Sequence, residues 1–166
     1  MKTFTFLLFT AAFLIFKNEI KAQTNTPNDA VLIDLYQNQR YAEAVGYLKK
    51  NYPEPVTDLK VLGRFAYASQ MAGKLLDAES YYLRIYQQDS ASIPVLLNLA
   101  SIQIRRENNS KALFYYEKVI ALDKTNFSVY KQLGRLYSDK GETEKAIANW
   151  KTANQLNPEE ADVAAD

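Results

Sequence analysis

The chain contains no cysteine and no histidine among its 166 residues. Without cysteine, a disulfide, a reactive thiolate or a zinc–thiolate site cannot form. Without histidine, the chain lacks the commonest general base of enzymes and the commonest ligand of transition metals. The composition therefore predicts a protein without a cofactor or a metal centre.

Long apolar runs are also scarce, and the clearest one extends over residues 4–16. It is too short to cross a bilayer as a helix, which takes about 20 residues. Lys2 precedes the run, polar residues follow it, and a small residue, Ala22, comes just before Gln23. This layout is typical of a signal peptide over residues 1–22, with cleavage predicted between Ala22 and Gln23. It resembles signal peptides of Gram-negative bacteria in which Gln often begins the mature chain, so we expect a periplasmic or secreted protein.

Neither sign of charge is in excess. The chain has 20 Lys and Arg and 19 Asp and Glu, and removal of the signal peptide takes away three lysines and Glu19, which leaves 17 against 18. The mature chain would have a formal charge of −1, and a nearly neutral protein does not attract nucleic acid or anionic membranes strongly. We therefore expect a protein or peptide partner, no nucleic acid, and no membrane span once the signal is removed.

A helical pattern that recurs every 34 residues dominates the rest of the chain. One column of the pattern holds only alanine: Ala44, Ala78, Ala112 and Ala146. Four residues later stands a bulky column: Leu48, Tyr82, Tyr116 and Trp150. A third column is small in three of its four places: Leu32, Ala66, Ala100 and Gly134. Small residues let two helices approach while bulky ones fill the space beside them. The pattern predicts four helix pairs, over residues 25–58, 59–92, 93–126 and 127–160.

The last pair carries the pattern most fully, with Leu133-Gly134, Tyr137, Ala146, Ala153 and Pro158. At these residues the chain resembles the tetratricopeptide repeat family. The resemblance implies an all-α fold: an α-solenoid of about four helix-turn-helix repeats, wound as a right-handed superhelix, over residues 23–160. The first pair departs from the pattern at Asn28 and Leu32, so it is either a divergent repeat or an N-terminal cap. Residues 161–166 are predicted to be a frayed acidic tail.

The final predicted helix carries amides where its predecessors carry apolar residues. One column changes from Tyr115 to Asn149, and another from Ile120 to Asn154. A terminal repeat presents a polar face to water, so the stack is predicted to end at this helix.

Motifs of catalysis are missing from the sequence. It has no Gly-rich phosphate loop and no serine between elbow glycines. The acids Glu142 and Glu144 do not share a helical face at a three- or four-residue step, and they are interpreted as solvated charges. We therefore predict a protein that is not an enzyme.

Asp89-Ser90-Ala91 resembles a bacterial O-glycosylation acceptor, although a polar turn explains these three residues fully.

In the tetratricopeptide repeat family, the first helix of each pair lines a concave groove. The residues of this chain that the resemblance places there are Lys60, Arg64, Tyr67, Met71, Asn98, Ser101, Arg105, Lys131 and Arg135. This mixture of cations with a few apolar groups suits an acidic or C-terminal peptide held by charge-assisted hydrogen bonds. The alternative is an ordinary solvated helix face. The Lys and Asn clamp of some family members is not carried over, because Gly63 and Tyr67 stand where it requires Lys and Asn.

Together these observations predict an adaptor of the bacterial cell envelope that binds a protein or peptide in the groove. Two alternatives stay open. One is a structural subunit that assembles with itself through the end or the convex face of the stack. The other is a binder of glycans or cell-wall fragments that uses Tyr67 and Met71.

Overall fold

The structure is a computed structural model that describes residues 29–158. Over that range the chain forms helices and no strand, which confirms the predicted all-α class. The helices are α1 Asp29–Gln37, α2 Tyr41–Asn51, α3 Leu59–Met71, α4 Leu75–Gln88, α5 Ile93–Arg105, α6 Asn109–Leu122, α7 Phe127–Asp139 and α8 Thr143–Leu156. The signal peptide, its Ala22–Gln23 cleavage position, the predicted start of the first pair and the acidic tail lie outside the described residues.

The 34-residue period of the sequence is also the period of the backbone. The helices α3, α5 and α7 begin at residues 59, 93 and 127 and end at residues 71, 105 and 139. Their partners α4, α6 and α8 begin at residues 75, 109 and 143 and end at residues 88, 122 and 156. One set of packing positions therefore serves each of these helix pairs.

The turn inside each pair contains one residue with a positive φ, again at steps of 34. Gln39, Gly73, Glu107 and Gly141 have φ values of 55°, 77°, 59° and 77°. This left-handed conformation suits glycine, and another residue pays about 1–2 kcal/mol for it. Two of the four turns thus contain the favoured residue, and two contain a strained one.

Capping residues and prolines set where the helices begin and end. The side chains of Asp58, Asn108 and Asn126 accept hydrogen bonds from the backbone N–H groups three residues ahead, at distances of 2.9, 3.2 and 3.3 Å. Such an N-cap stabilises a helix by about 0.5–2 kcal/mol. Pro53 and Pro55 follow α2, which ends at Asn51, since proline cannot continue a helix.

The chain divides into two compact units with a boundary after Val56. In the first unit α1 and α2 pack against each other. Its buried side chains include Leu32, Leu35, Ala44 and Leu48. Leu32 and Leu35 are three residues apart on α1, and Ala44 and Leu48 are four residues apart on α2, so each helix contributes one apolar stripe.

The second unit, described over residues 57–158, is a stack of three helical hairpins. The two helices of each hairpin pack together, and the second helix of one hairpin packs against the first helix of the next. Ala78 and Ala112 are fully buried and Ala146 is 1% exposed. The predicted orientation of the alanine column is therefore confirmed, and the predicted α-solenoid fold with it.

Small residues and bulky residues meet as the sequence predicts. At Gly134 an added Cβ atom would lie 2.3 Å from Trp150 Nε1, so the indole ring covers the glycine directly. In the hairpin of α3 and α4, the ring of Phe65 stacks on that of Tyr81 at a centroid distance of 4.8 Å. Tyr82 is buried as well, and burial raises the pKa of its hydroxyl to about 12. Tyr81 and Tyr82 therefore pack within the hairpin.

Polar side chains join consecutive hairpins of the second unit. Gln103 Nε2 on α5 donates a hydrogen bond to Glu79 Oε1 on α4 at 2.8 Å, and Arg106 forms an ion pair with the same carboxylate. One repeat later, the Tyr137 hydroxyl on α7 donates to Glu117 on α6, which raises the pKa of Tyr137 to about 12. Each seam thus contains an acid on its second helix, half-buried at Glu79 and exposed at Glu117, that accepts a hydrogen bond from the next first helix.

Candidate protein-binding face

The nine residues that the sequence assigns to a groove lie on α3, α5 and α7, and we call them the first-helix face. All nine side chains contact solvent. Three are half-buried, namely Arg64, Asn98 and Ser101. Six are exposed, namely Lys60, Tyr67, Met71, Arg105, Lys131 and Arg135. Since each helix also buries an apolar stripe in the stack, these residues form the side that remains available to a partner. Whether a partner binds there stays a prediction.

Equivalent positions of the first helices form rows across the stack. One row contains Tyr67, Ser101 and Arg135, and the next contains Met71, Arg105 and Asp139. A hydrogen bond joins neighbouring first helices directly, because Arg105 Nη1 on α5 donates to the backbone oxygen of Gln70 on α3 at 3.1 Å. The side chain of Arg105 is therefore held beside the last turn of α3.

The first helices of the second unit carry an excess of positive charge. They contain five cations, all of them in the first-helix face, and one acid, Asp139, which gives a net charge of +4. The second helices contain five cations and four acids, which gives +1. Clustered charge of one sign raises the local concentration of the opposite charge. This asymmetry makes the first-helix face the more attractive surface for acidic groups.

Apolar surface on this face is concentrated on α3. Tyr67 is 42% exposed and Met71 is 47% exposed. On α5 and α7 the residues at the same positions are polar or charged. The face therefore changes character from its α3 side to its α7 side.

Asn98 and Arg135, two other members of the face, also interact with the protein itself. Asn98 Nδ2 donates to the backbone oxygen of Pro94 in its own helix at 2.9 Å, which uses one of the two N–H donors of this amide. Arg135 lies near the hydroxyl of Tyr116 and opposes the rise that burial causes in the pKa of that tyrosine. Of the two, Arg135 retains more of its hydrogen-bonding capacity, since a guanidinium has five N–H donors.

The prediction of a polar end of the stack is only partly correct. Asn154 on α8 is exposed, but so are Ile147, at 57%, and Trp150, at 39%. Their equivalents one repeat earlier, Leu113 and Tyr116, are buried, because α7 packs against α6. The alignment of Ile147 with Leu113 marks an apolar position in the sequence, but the pattern does not show whether a further helix covers it. A hollow of about 440 Å³ lies on this side of α8, and we call its lining the α8 edge. The lining residues are Ile147, Trp150, Lys151, Asn154 and Gln155.

Residues 29–158 contain no group of three or more acidic or other metal-binding side chains placed to hold an ion. No helix in this range is both long enough and apolar enough to cross a membrane.

Comparison with known sequences gives matches over part of the chain. Residues 93–126 match one family model described as tetratricopeptide repeat, and residues 115–148 match another with the same description. The first match coincides with the third predicted helix pair, and the second is displaced by 22 residues, so that it starts in α6 and extends into α8.

Among curated proteins, the UDP-N-acetylglucosamine–peptide N-acetylglucosaminyltransferase of Caenorhabditis elegans is 31% identical over 88 residues. The match covers 53% of this chain and 8% of the length of that enzyme. It therefore concerns a small part of the transferase, and the activity of the whole enzyme does not follow from it.

Solved structures of MamA share the fold. A crystal structure of MamA aligns with a TM-score of 0.70 and 20% identity, covering 89% of this chain and 87% of the other. MamA from Desulfovibrio magneticus RS-1, beginning at its residue 41, aligns with a TM-score of 0.69 and 19% identity over 78% of this chain and 73% of that one. At this identity the likeness concerns the fold. Residues 93–148 therefore carry tetratricopeptide repeats, and over residues 29–158 the chain has an all-α fold of the α-solenoid class.

Proposed function

We propose that this protein is an adaptor without catalytic activity that binds a segment of another protein across its first-helix face. The observation that carries the proposal is the difference in charge between the two sets of helices. The first helices of the second unit have a net charge of +4 and the second helices +1. An acidic segment is therefore attracted to one side of the stack in preference to the other.

The tetratricopeptide repeats support this role, because stacked helical hairpins present an extended surface whose residues vary without loss of the packing columns. The nine residues of the first-helix face lie outside those columns. The transferase match gives little support to catalysis, since it includes only 8% of that enzyme.

We place the adaptor outside the cytoplasm of a Gram-negative bacterium, in a complex of the cell envelope. The first 22 residues support this location by their signal-like layout. The chain purified from the native envelope should begin at Gln23, and N-terminal sequencing would show this. A purified chain that begins at Met1 would refute the export proposal without affecting the binding proposal.

The binding proposal is tested by charge reversal. Arg64→Glu combined with Arg135→Glu should abolish capture of the partner from the native envelope. The matched control is Lys50→Glu with Lys111→Glu, which makes the same change of charge at exposed positions of second helices outside the α8 edge. Circular dichroism should show both variants folded. If the control loses the partner and the first variant retains it, the binding site lies on the second helices.

A second function is favoured by the α8 edge, which exposes Ile147 and Trp150, whereas the preceding hairpin buries the equivalent Leu113 and Tyr116. Such an edge favours association with another helical surface, and a structural subunit would use it to assemble. Light scattering of the mature chain over a range of concentrations distinguishes the two functions. A mass that stays that of a monomer, both in the mature chain and in Ile147→Glu, would exclude assembly through this edge.

A further inference from the structure

We infer that the first-helix face selects partner segments by the order of their side chains, with one apolar residue at α3 followed by acidic residues at α5 and α7. This inference rests on the proposed function and deepens it. It concerns the order in which apolar and charged side chains follow one another along the first-helix face. A net positive charge alone would not define this order.

The apolar contact is restricted to the α3 side. Tyr67 and Met71 are one helical turn apart and are 42% and 47% exposed. At the same two positions α5 has Ser101 and Arg105, and α7 has Arg135 and Asp139. An apolar side chain of a partner would therefore lose contact with water only at α3, and it would meet charged groups at α7.

Arg105 provides a positioned donor in the middle of the face. Its bond to the Gln70 backbone oxygen, at 3.1 Å, uses one of the five N–H groups of the guanidinium. That bond reduces the freedom of a long side chain before any partner arrives, so less entropy is lost on binding. A carboxylate is the group that fits the planar fork of a guanidinium best.

On the α7 side, one helical turn favours an acidic residue of the partner and the next turn disfavours it. Lys131 and Arg135 are exposed cations separated by about one helical turn. Asp139 lies one turn beyond Arg135 and would repel a second carboxylate there. The acidic residue of the partner should therefore lie beside Arg135.

The spacing follows from the dimensions of helices and extended chains. The bond from Arg105 to the Gln70 backbone oxygen shows that α5 lies within reach of one arginine side chain from α3, so we take their spacing as roughly 10 Å, the upper end of the range for packed helices. An extended peptide advances about 3.3 Å per residue. One step along the stack therefore corresponds to about three residues of the partner. The expected segment has an apolar residue at one end and acidic residues about three and six positions away, in either chain direction.

Synthetic peptides of seven residues test this order on the mature full-length chain by fluorescence anisotropy. Two test peptides carry leucine at one end, the first or the last position, and glutamates three and six positions away, with serine and glycine elsewhere. The control peptide has the same composition, with leucine in the middle and glutamates at both ends. At least one test peptide should bind about tenfold more tightly than the control. Equal binding of all three peptides would overturn the inference.

Exchange of charges then locates each contact. Arg135→Glu should weaken the better test peptide by about 10- to 100-fold, and lysine in place of the glutamate farthest from the leucine should restore binding. Met71→Ser should weaken the leucine peptide and leave a peptide with serine at that position unchanged. Failure of the lysine peptide to restore binding would overturn the assignment to α7.

The outcomes also separate this inference from the proposed function. Loss of the native partner in the double variant of Arg64 and Arg135, together with equal binding of all three peptides, would refute only the order. Capture of the native partner by that double variant at the wild-type level would refute the proposed function itself.

Discussion

The contact between Gly134 and Trp150 gives the sharpest test of the packing in the last hairpin. A methyl group added at Gly134 would lie 2.3, 2.4 and 2.8 Å from three atoms of the indole ring. Contacts between a Cβ atom and a ring are normally beyond 3.4 Å, so Gly134→Ala requires the ring to move by roughly an ångström. Gly63 also lies in the interior of a helix, α3, but nothing lies within 4 Å of a Cβ atom added there. Gly63→Ala is therefore the matched control.

Two effects oppose each other at Gly134, and only one acts at Gly63. Alanine is favoured over glycine inside a helix by about 1 kcal/mol, and this gain applies to both variants. Overpacking of a well-filled site costs about 1–3 kcal/mol, and this cost applies to Gly134→Ala alone. Gly63→Ala should be stabilised by about 0.5–1 kcal/mol, and Gly134→Ala should be less stable than Gly63→Ala by about 1–3 kcal/mol.

Urea denaturation followed by circular dichroism measures both free energies of unfolding. The chain has a single tryptophan, so the fluorescence of Trp150 should change in Gly134→Ala and stay unchanged in Gly63→Ala. Equal stabilisation of the two variants would refute the proposed contact.

The preceding hairpins supply a compensating change. They pair Ala66 with Tyr82 and Ala100 with Tyr116 at the equivalent positions. Adding Trp150→Tyr to Gly134→Ala should therefore recover most of the lost stability. If the losses of stability in Gly134→Ala and Trp150→Tyr add up in the double variant, Gly134 and Trp150 do not interact.

Three further changes test the turns, the ion pairs and the core. Glu107→Gly should raise the free energy of unfolding by about 0.5–1 kcal/mol, because Glu107 has a φ of 59° and glycine relieves the strain; a lower urea midpoint would contradict this. Hydrogen bonds from Lys140 and Lys145 lower the pKa of Glu142 from 4.5 to about 2, so its contribution to stability is present above pH 4.5 and is lost as the pH falls through about 2. The melting temperatures of wild type and Glu142→Gln should therefore converge as the pH is lowered from 6 to 2, and a constant difference would contradict the shift. Leu99→Ala, at a fully buried site, should cost about 2–5 kcal/mol in urea denaturation, and a cost below 1 kcal/mol would place Leu99 outside the core.

The sequence alone determined the helices and their packing columns. Its 34-residue period matches the starts and ends of α3 to α8, and the buried alanines occupy the predicted positions. Burial of this kind is encoded locally, because an apolar stripe on a helix follows from the spacing of residues along one turn. The break after α2 was equally local, since Pro53 and Pro55 forbid its continuation.

The tertiary structure alone decided which polar groups meet. The bonds of Gln103 with Glu79 and of Arg105 with Gln70 join residues 24 and 35 positions apart on different helices. Their formation depends on how two hairpins dock and on which rotamers fit the seam, and a periodic pattern contains neither. The exposure of Ile147 also depends on tertiary structure. Leu113, the equivalent residue one repeat earlier, is buried because a neighbouring helix packs against it, and no difference between the two apolar residues accounts for this.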